Sequence, residues 1–381
     1  MSGGGEWQPV MIHSDVLVVG AGPAGSSCAR DLVSAGLDVL VLDRVTFPRD
    51  KPCAGWITPQ VLETLAIDPA EYASGRTLQP IEGFRVSVQG RRGCDAAFGR
   101  TVSYGIRRSE FDAYLLARSG ARVKMGTAVT RLARTRDRWL VNDEIEAPVL
   151  VGAGGHFCPV AAHVAPHISA GPLVVAQEIE EPLSALQREK CRVRATLPAL
   201  YFCEDLKGYG WVFRKGSFLN VGFGRQDPLQ FTDHVRRFRT WLATSGEIPP
   251  GVSEQWCGHA YLLWSEPRRP CLGEGVLLVG DAAGLAVPAS GEGIRTAVES
   301  GRLAARAIVA ANGHYTRERL DAYAASLEGR FGPPPDGHGR LAWLPDRIAH
   351  ALGAHLIGTR WFARRVLAAR WFLRTSEPAL E

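Results

Sequence analysis

The chain has 381 residues and a net charge of +5, and 46% of its residues are hydrophobic and 22% charged. This composition excludes a disordered chain, and the length allows two or three packed units. Eight cysteines without a C-x-x-C pair exclude a disulfide scaffold and give no zinc-binding spacing.

Location and macromolecular partners are also constrained by what the sequence lacks. The N-terminus has no signal-peptide layout, and no apolar run is long enough to span a bilayer. No stripe of Lys and Arg interleaved with aromatic residues indicates nucleic-acid binding. We therefore expect a cytoplasmic protein without a metal site or a nucleic-acid partner.

The first predicted unit is a βαβ pattern over residues 15–43. A continuous apolar strand covers 15–19, a helix follows to about Ala35, and Gly36 ends it. A second apolar strand, 39–42, leads directly into an acidic residue. This order is typical of a nucleotide-binding unit.

The turn of this unit carries a G-x-G-x-x-G pattern. Gly20 permits a tight turn, Gly22 lets the backbone approach a pyrophosphate, and Gly25 lets the helix pack closely on the strand. Asp43 follows the last glycine by eighteen residues, where it can accept a hydrogen bond from an adenosine ribose. Because its carboxylate would repel a 2′-phosphate, we expect a dinucleotide other than NADP.

The middle of the chain is predicted to be rich in strands. Residues 78–106 and 169–225 have strand and turn patterns, 107–120 has helical spacing, and 146–155 is a strand that ends in glycines. "KGYGWVF" and "SFLNVGFG" predict a hairpin. Tyr209, Trp211 and Phe213 would share one face of it, either lining an apolar pocket or packing in the core.

A second glycine-rich segment, 275–311, predicts a strand, a loop and a long helix. Asp281 ends the strand, and Gly291 and Gly293 precede the helix. A carboxylate there can bind sugar-like hydroxyls, and the helix N-terminus can stabilise negative charge. A flavin has a ribityl chain and a ring edge that becomes anionic on reduction, so the pair of motifs predicts FAD rather than NAD.

The tail from Arg340 is predicted to be helical, after a boundary at "GPPPDG". Residues 347–376 contain six arginines and no acidic residue. Phe362, Val366, Ala369 and Leu373 would form an apolar stripe on a helix. The segment is either a peripheral contact with the inner face of the membrane or a helix packed on the body with a solvated basic face.

Together these elements predict an α/β protein. A Rossmann-like FAD-binding domain would be formed by 10–60, 100–160 and 268–330. An antiparallel β-sheet substrate domain (61–99 and 161–267) would be inserted in it, and a helical C-terminal segment would cover 331–381.

These motifs together resemble the FAD enzymes typified by para-hydroxybenzoate hydroxylase, and most closely their geranylgeranyl reductase branch. Residues 15–44 match the FAD fingerprint and 275–294 match the "GD" segment. "RRSEFD" matches the helix start whose arginine, here Arg108, reaches the cofactor. "RDKPCAGWITP" resembles the branch's K-x-C-G-G segment, and "GYGWVF" resembles its Y-x-W-x-F-P motif.

The resemblance implies an FAD-dependent oxidoreductase that reduces C=C bonds of an isoprenoid or other lipid-like substrate. The catalytic residues would be Cys53, Tyr209 and Trp211. Beside Gly20, Gly22, Gly25, Asp43, Asp281, Gly291 and Gly293, we expect these cofactor contacts: Ala24, Arg44, Ala54, Gly55, Arg108, Val129 and Ile294. Ala54 and Gly55 would let backbone N–H groups approach the isoalloxazine ring.

The chain departs from the family patterns at several positions. Ala54 stands in place of a glycine and Arg214 in place of a proline. Gly154 and Cys158 replace the aspartate and serine of the hydroxylases' G-A-D-G-x-x-S segment, which disfavours a monooxygenase. The electron donor stays open between NAD(P)H and ferredoxin.

Three other functions remain open at this point: a flavin monooxygenase, a flavin:quinone oxidoreductase and a flavoprotein that only binds lipid. Cys53 itself has two interpretations. It is a proton donor beside the flavin, as the resemblance implies. Alternatively, it is a packing residue, and the segment matters only because the small residues Ala54 and Gly55 let the backbone approach the ring.

Overall fold

The computed structural model describes residues 11–166, 171–335 and 345–381, except for the side chain of Asp346. The strands are β1 (Ile12–His13), β2 (Val16–Val19), β3 (Val39–Leu42), β4 (Trp56–Ile57), β5 (Leu78–Ile81), β6 (Gly83–Val88), β7 (Cys94–Ala97), β8 (Ser103–Ile106), β9 (Arg122–Lys124), β10 (Leu132–Thr135), β11 (Arg138–Val141), β12 (Ile145–Ala147), β13 (Val149–Gly152), β14 (Leu173–Pro182), β15 (Ala199–Phe202), β16 (Gly208–Lys215), β17 (Phe218–Arg225), β18 (Cys257–Leu262), β19 (Leu272–Gly273) and β20 (Val276–Leu278).

The helices are α1 (Pro23–Ser34), α2 (Pro59–Thr64), α3 (Pro69–Ala73), α4 (Arg108–Ala117), α5 (Pro159–Val164), α6 (Ala185–Lys190), α7 (Phe231–Ser245), α8 (Ile294–Ala311), α9 (Arg317–Leu320), α10 (Ala322–Phe331), α11 (Asp346–Ile357) and α12 (Arg360–Phe362). A 3₁₀ turn covers Gly280–Ala282, and a π-helical segment covers Ala363–Phe372. Among the described residues, no helix is both long and apolar enough to cross a bilayer.

The first large sheet has the order β19-β20-β13-β2-β3-β9, and all its neighbours are parallel except β19 and β20. Its central strands are continuous apolar runs and are fully buried, as expected where both faces of a parallel sheet are covered. Helix α1 packs against α8 at very short range. A Cβ on Gly301 would lie 2.2 Å from the carbonyl oxygen of Ala24, so glycine sets the distance between the two helices.

The second large sheet has the order β18-β14-β17-β16-β15-β6-β7, and its pairs are antiparallel except β15 and β6. The predicted hairpin is present as β16 and β17, with Trp211 opposite Gly222. Two smaller sheets, β1-β12-β11-β10 and β4-β8-β5, complete the architecture. The predicted α/β fold, with its Rossmann-like unit, antiparallel sheet and helical tail, is confirmed.

The C-terminal helices pack on β6 and β7 of the second sheet. The residues buried there include Ala363, Leu367, Ala368 and Phe372. The predicted apolar stripe assumed α-helical spacing and is confirmed only at its last member: Leu373 is buried, whereas Phe362, Val366 and Ala369 are only half-buried. A π-helix has more residues per turn, so different positions meet the sheet.

Candidate active site

A cleft of about 390 Å³ opens at the carboxyl ends of the parallel strands. Gly20, Asp43, Ala153 and Val279 directly follow β2, β3, β13 and β20, and all four line it. In open α/β sheets this edge is where ligands bind, because loops and helix N-termini converge there.

The three glycines of the first motif have different reasons to be glycine. Gly20 has φ of +111°, and a Cβ there would lie 2.4 Å from the carbonyl oxygen of Ala153. A Cβ on Gly25 would lie 1.9 Å from the carbonyl oxygen of Gly20. At Gly22 a Cβ would meet only Arg49 Nη2, at 3.7 Å, so the protein leaves that side open toward the cleft.

The N-terminus of α1 is suited to an anion. Its N-cap, Gly22, offers no side-chain hydrogen bond, so the first-turn N–H groups stay available. Asp43 lies beside this turn, and its two carboxylate oxygens accept from the N–H groups of Ala21 at 2.8 Å and Val45 at 3.0 Å. Ala24 and Arg44 also line the cleft.

Arg108 and Arg49 form a cationic group around one buried carboxylate. Arg108 donates to both oxygens of Asp112, at 2.7 Å each, and Arg49 Nη2 lies 3.2 Å from the same group. Although burial opposes the charge of Arg108, the Asp112 carboxylate raises the pKa of its guanidinium. The cleft therefore keeps positive charge close to the predicted pyrophosphate position.

On the opposite wall, Asp281 belongs to a second polar cluster. Lys51 Nζ lies 3.1 Å from His259 Nε2, and His259 Nε2 lies 3.6 Å from Asp281 Oδ2. Burial, with the charge of Lys51, lowers the pKa of His259, so its imidazole is neutral near pH 7. Burial opposes ionisation of Asp281, but His259 and Lys51 lower its pKa and keep a carboxylate in the cleft.

The loop before α8 closes this wall. Gly291 has φ of +69°, and a Cβ there would lie 2.3 Å from the Tyr261 hydroxyl oxygen. A Cβ on Gly293 would lie 3.2 Å from Asp281 Oδ1, so small residues keep this carboxylate accessible. Ile294, the first residue of α8, also lines the cleft.

Cys53, Tyr209 and Trp211 line the same cleft, together with Ala54. The Cys53 side chain is half-buried, and its Sγ accepts from the Gly55 N–H at 3.4 Å. The Tyr209 hydroxyl donates to the carbonyl oxygen of Ser290 at 2.5 Å. The structure thus brings the three predicted catalytic residues into one space with the predicted cofactor positions.

Phe213 and three predicted cofactor positions lie outside the lining of the cleft. Phe213 is 1% exposed and packs edge-on against Phe84, so the aromatic alternation is partly core. Gly25 supports the turn, and Gly55, with φ of +59°, avoids the carbonyl oxygen of Ile106 and Lys215 Nζ. Val129 is half-buried against the core of the first sheet.

The structure also brings residues to the cleft that sequence reasoning missed. They are Arg49, Lys51, Glu178, His259, Tyr261 and Glu292. Arg49 and Lys51 stand in the segment that resembles K-x-C-G-G, so the sequence could have indicated that both residues line the cleft. His156, in the loop after β13, lines the cleft as well.

Taken together, the cleft fits FAD. The open side of Gly22 and the uncapped α1 N-terminus suit its pyrophosphate, the carboxylate of Asp43 suits its adenosine ribose, and the carboxylate of Asp281 suits its ribityl hydroxyls. A family model described as "FAD binding domain" matches residues 13–169. The protein is an FAD-dependent oxidoreductase.

Comparison with known proteins gives the family. Digeranylgeranylglycerophospholipid reductase 3 of Methanosphaera stadtmanae is 30% identical over 344 residues, which cover 84% of this chain and 83% of the relative. The chain belongs to the geranylgeranyl reductase branch of the para-hydroxybenzoate hydroxylase-like flavoproteins. Menaquinone reductase of Mycobacterium tuberculosis is 28% identical over 341 residues, with 77% and 76% covered.

A solved structure agrees with the fold. The geranylgeranyl bacteriochlorophyll reductase-like protein of Thermoplasma acidophilum superposes with a TM-score of 0.71 at 21% identity. The match covers 94% of this chain and 91% of that protein. The shared fold therefore extends over almost the whole chain.

Proposed function

We propose that the protein reduces C=C bonds of an isoprenoid lipid with electrons from bound FAD. The observation that carries this proposal is a single cleft lined both by FAD-binding elements and by Cys53, Trp56, Tyr209 and Trp211. Aromatic surface suits a flexible apolar chain, and polar groups at one end orient it. The relative from Methanosphaera stadtmanae is named for a prenyl-lipid substrate, which supports the same class.

In this proposal the N-terminus of α1, Gly20, Gly22, Asp43, Arg108 and Asp281 hold the cofactor. FAD, once reduced, supplies a hydride, while the protein excludes water and positions the substrate. Tyr209 is fixed by its bond to Ser290, and burial raises the pKa of its phenol, so it stays neutral against the apolar chain. Two predicted cofactor contacts, Ala54 and Ile294, would pack against the ring.

The test is anaerobic turnover of the purified flavoprotein. The bound FAD is photoreduced, and prenyl lipids, prenyl quinones and aromatic compounds are offered in turn, with products identified by mass spectrometry. A gain of two hydrogens in a prenyl chain supports the proposal. A gain of one oxygen after air is admitted, or flavin reoxidation by quinone without a saturated product, would overturn it in favour of a monooxygenase or a flavin:quinone oxidoreductase.

Replacing Cys53 by serine tests whether its thiol takes part. Serine nearly keeps the size of the side chain but replaces a small apolar thiol in the lining of the cleft by a hydrated hydroxyl. We expect FAD to be retained and lipid reduction to fall at least ~10-fold. Unchanged turnover in the variant with full FAD content would assign Cys53 to packing.

We also propose that the tail contacts an anionic membrane surface. Three large apolar side chains of the tail are exposed: Ile348 at 54%, Leu352 at 43% and Trp361 at 67%. Arg347, Arg360, Arg364 and Arg365 are exposed nearby in the sequence, and 347–376 contains no acidic residue. Apolar side chains beside exposed arginines suit the headgroup region of anionic lipid.

Substitution of these exposed residues tests the membrane contact better than truncation. Deleting the tail would remove Leu367 and Phe372 from the core. The triple variant Ile348→Ser, Leu352→Ser, Trp361→Ser leaves the core intact, and we expect its affinity for phosphatidylglycerol vesicles to fall ~10-fold, about 1.4 kcal/mol. The control is Leu229→Ser, at a leucine outside the tail that is 73% exposed. Equal binding by the triple variant and the wild type would refute the contact.

A further inference from the structure

Glu178 is a buried carboxyl group in the wall of the cleft, and no function assigned above uses it. It lies on β14, is 6% exposed, and lines the cleft together with Cys53 and Trp211. A Cβ on Gly222, the cross-strand partner of both Glu178 and Trp211, would lie 2.1 Å from the Trp211 ring and 2.8 Å from Glu178 Cβ. Glycine there leaves the space in which the indole and the carboxyl group meet.

Asn220 fixes the orientation of this carboxyl group. Trp211 Nε1 can only donate, and its partner at 2.7 Å is Asn220 Oδ1, so the Asn220 amide nitrogen points the other way. That nitrogen donates to Glu178 Oε2 at 3.0 Å and to the carbonyl oxygen of Cys53 at 3.1 Å. One fully buried side chain thereby connects Trp211, Glu178 and the Cys53 backbone.

The charges nearby are distributed unequally between Glu178 and its neighbour Glu180. Lys215 Nζ lies 2.6 Å from Glu180 Oε2, and Arg107 Nε lies 3.3 Å from Glu180 Oε1. In the described parts of the chain, Glu178 forms no such ion pair. The Asn220 nitrogen is also 3.3 Å from Glu180 Oε2, so an ionised Glu178 would face a second carboxylate across one amide group.

Burial without a cation of its own favours the neutral form of a carboxyl group. Burial raises the pKa of Glu178, and Lys215 opposes this effect only in part. Glu178 therefore carries a proton further toward neutral pH than an exposed glutamate does. Tyr209 is less suited to donate a proton because its hydroxyl hydrogen already bonds to Ser290.

We propose that Glu178 is the proton donor to the substrate in the cleft, an inference that rests on the proposed reduction of a C=C bond. Glu178 would give its proton to one alkene carbon, and an anionic reduced flavin would supply the hydride to the other. One π bond is lost, two C–H bonds form, and the flavin ends oxidised. The Glu178 carboxylate then regains a proton from solvent. Asn220 acts as a positioning residue.

The test compares Glu178→Gln with the wild type in two independent measurements. In single turnover with photoreduced FAD, we expect lipid reduction to fall at least ~100-fold with FAD content unchanged, which is the range of general acid catalysis. Glu178→Asp keeps an acid and should recover part of the rate. Glu181→Gln is the matched control, because Glu181 points to the other face of β14 and accepts from the Ser253 N–H.

The second measurement is infrared spectroscopy of the protein in H₂O and D₂O. We expect a protonated-carboxyl band at neutral pH that disappears in Glu178→Gln and persists in Glu181→Gln. The active form is protonated, so wild-type turnover should fall as pH rises through the pKa of Glu178, and Glu178→Gln should lose this limb of the profile.

The outcomes separate the two proposals. Wild-type rates in Glu178→Gln, or a Glu178 that is ionised at neutral pH, would overturn the assignment of the proton donor and leave lipid reduction standing. A wild-type protein that reduces none of the lipids would refute the proposed function, and the role of Glu178 would be rejected with it, whatever the infrared band shows.

Discussion

Replacing Gly22 by valine is expected to abolish FAD binding while the protein stays folded. Gly22 has φ of −71° and ψ of −175°, an extended conformation that any residue adopts, and its Cβ would meet only Arg49 at 3.7 Å. The new side chain would instead occupy the space in front of the α1 N-terminus, where the pyrophosphate belongs. We expect FAD affinity to fall at least ~100-fold, about 2.7 kcal/mol.

Fluorescence titration of the apoprotein with FAD measures this loss, and thermal unfolding of the apoprotein checks the fold. Gly75→Val is the matched control, since a Cβ there meets nothing within 4 Å and Gly75 lies outside the cleft. Gly25→Val should instead destabilise the apoprotein, because its Cβ would collide with Gly20. Wild-type FAD affinity in Gly22→Val would show that the pyrophosphate does not bind at this turn.

Replacing Phe372 by alanine is expected to produce the largest loss of stability among the tail residues. Phe372 is 1% exposed, stacks on Trp56 with ring centroids 6.1 Å apart, and meets Tyr209 edge-on at 5.6 Å. Removing a buried aromatic ring costs about 3–5 kcal/mol, through lost burial and the cavity that remains. Because Trp56 and Tyr209 line the cleft, we also expect a higher KM for an apolar lipid.

Urea unfolding of the apoprotein gives the free energy of unfolding, and steady-state kinetics give KM. Trp361→Ala is the control, an aromatic residue of the same tail that is 67% exposed and should cost less than about 1 kcal/mol. A Phe372→Ala variant as stable as this control would show that the tail does not hold the aromatic wall in place.

The elements that were predicted well from the sequence are those whose pattern is contained within a short stretch of neighbouring residues. The apolar runs of β2 and β3 and the glycines between them specify a strand, a turn and a helix within about thirty residues, and the structure has them at Val16–Val19, Pro23–Ser34 and Val39–Leu42. The β16–β17 hairpin is likewise encoded by alternation around a short turn.

The parts that could not be predicted depend on pairing between distant segments. Glu178 reaches the cleft because β14 pairs with β17, and His259 reaches it because β18 adds to the other edge of β14. Neither residue stands in a motif, and their partners Asn220 and Lys51 lie far away in the sequence. The tail stripe was misplaced because helical spacing was assumed where the backbone is π-helical.

The order of strands in the first sheet has a consequence for how the protein is made. The two walls of the cofactor cleft come from residues near 20 and near 281, so the ribosome synthesises most of the chain between them. Until α8 has been synthesised, the surface of α1 around Ala24 and Cys28, which packs on Gly301 of α8, stays exposed. Both walls of the cofactor cleft are therefore present only after α8 has been translated, and until then this surface of α1 is open to aggregation.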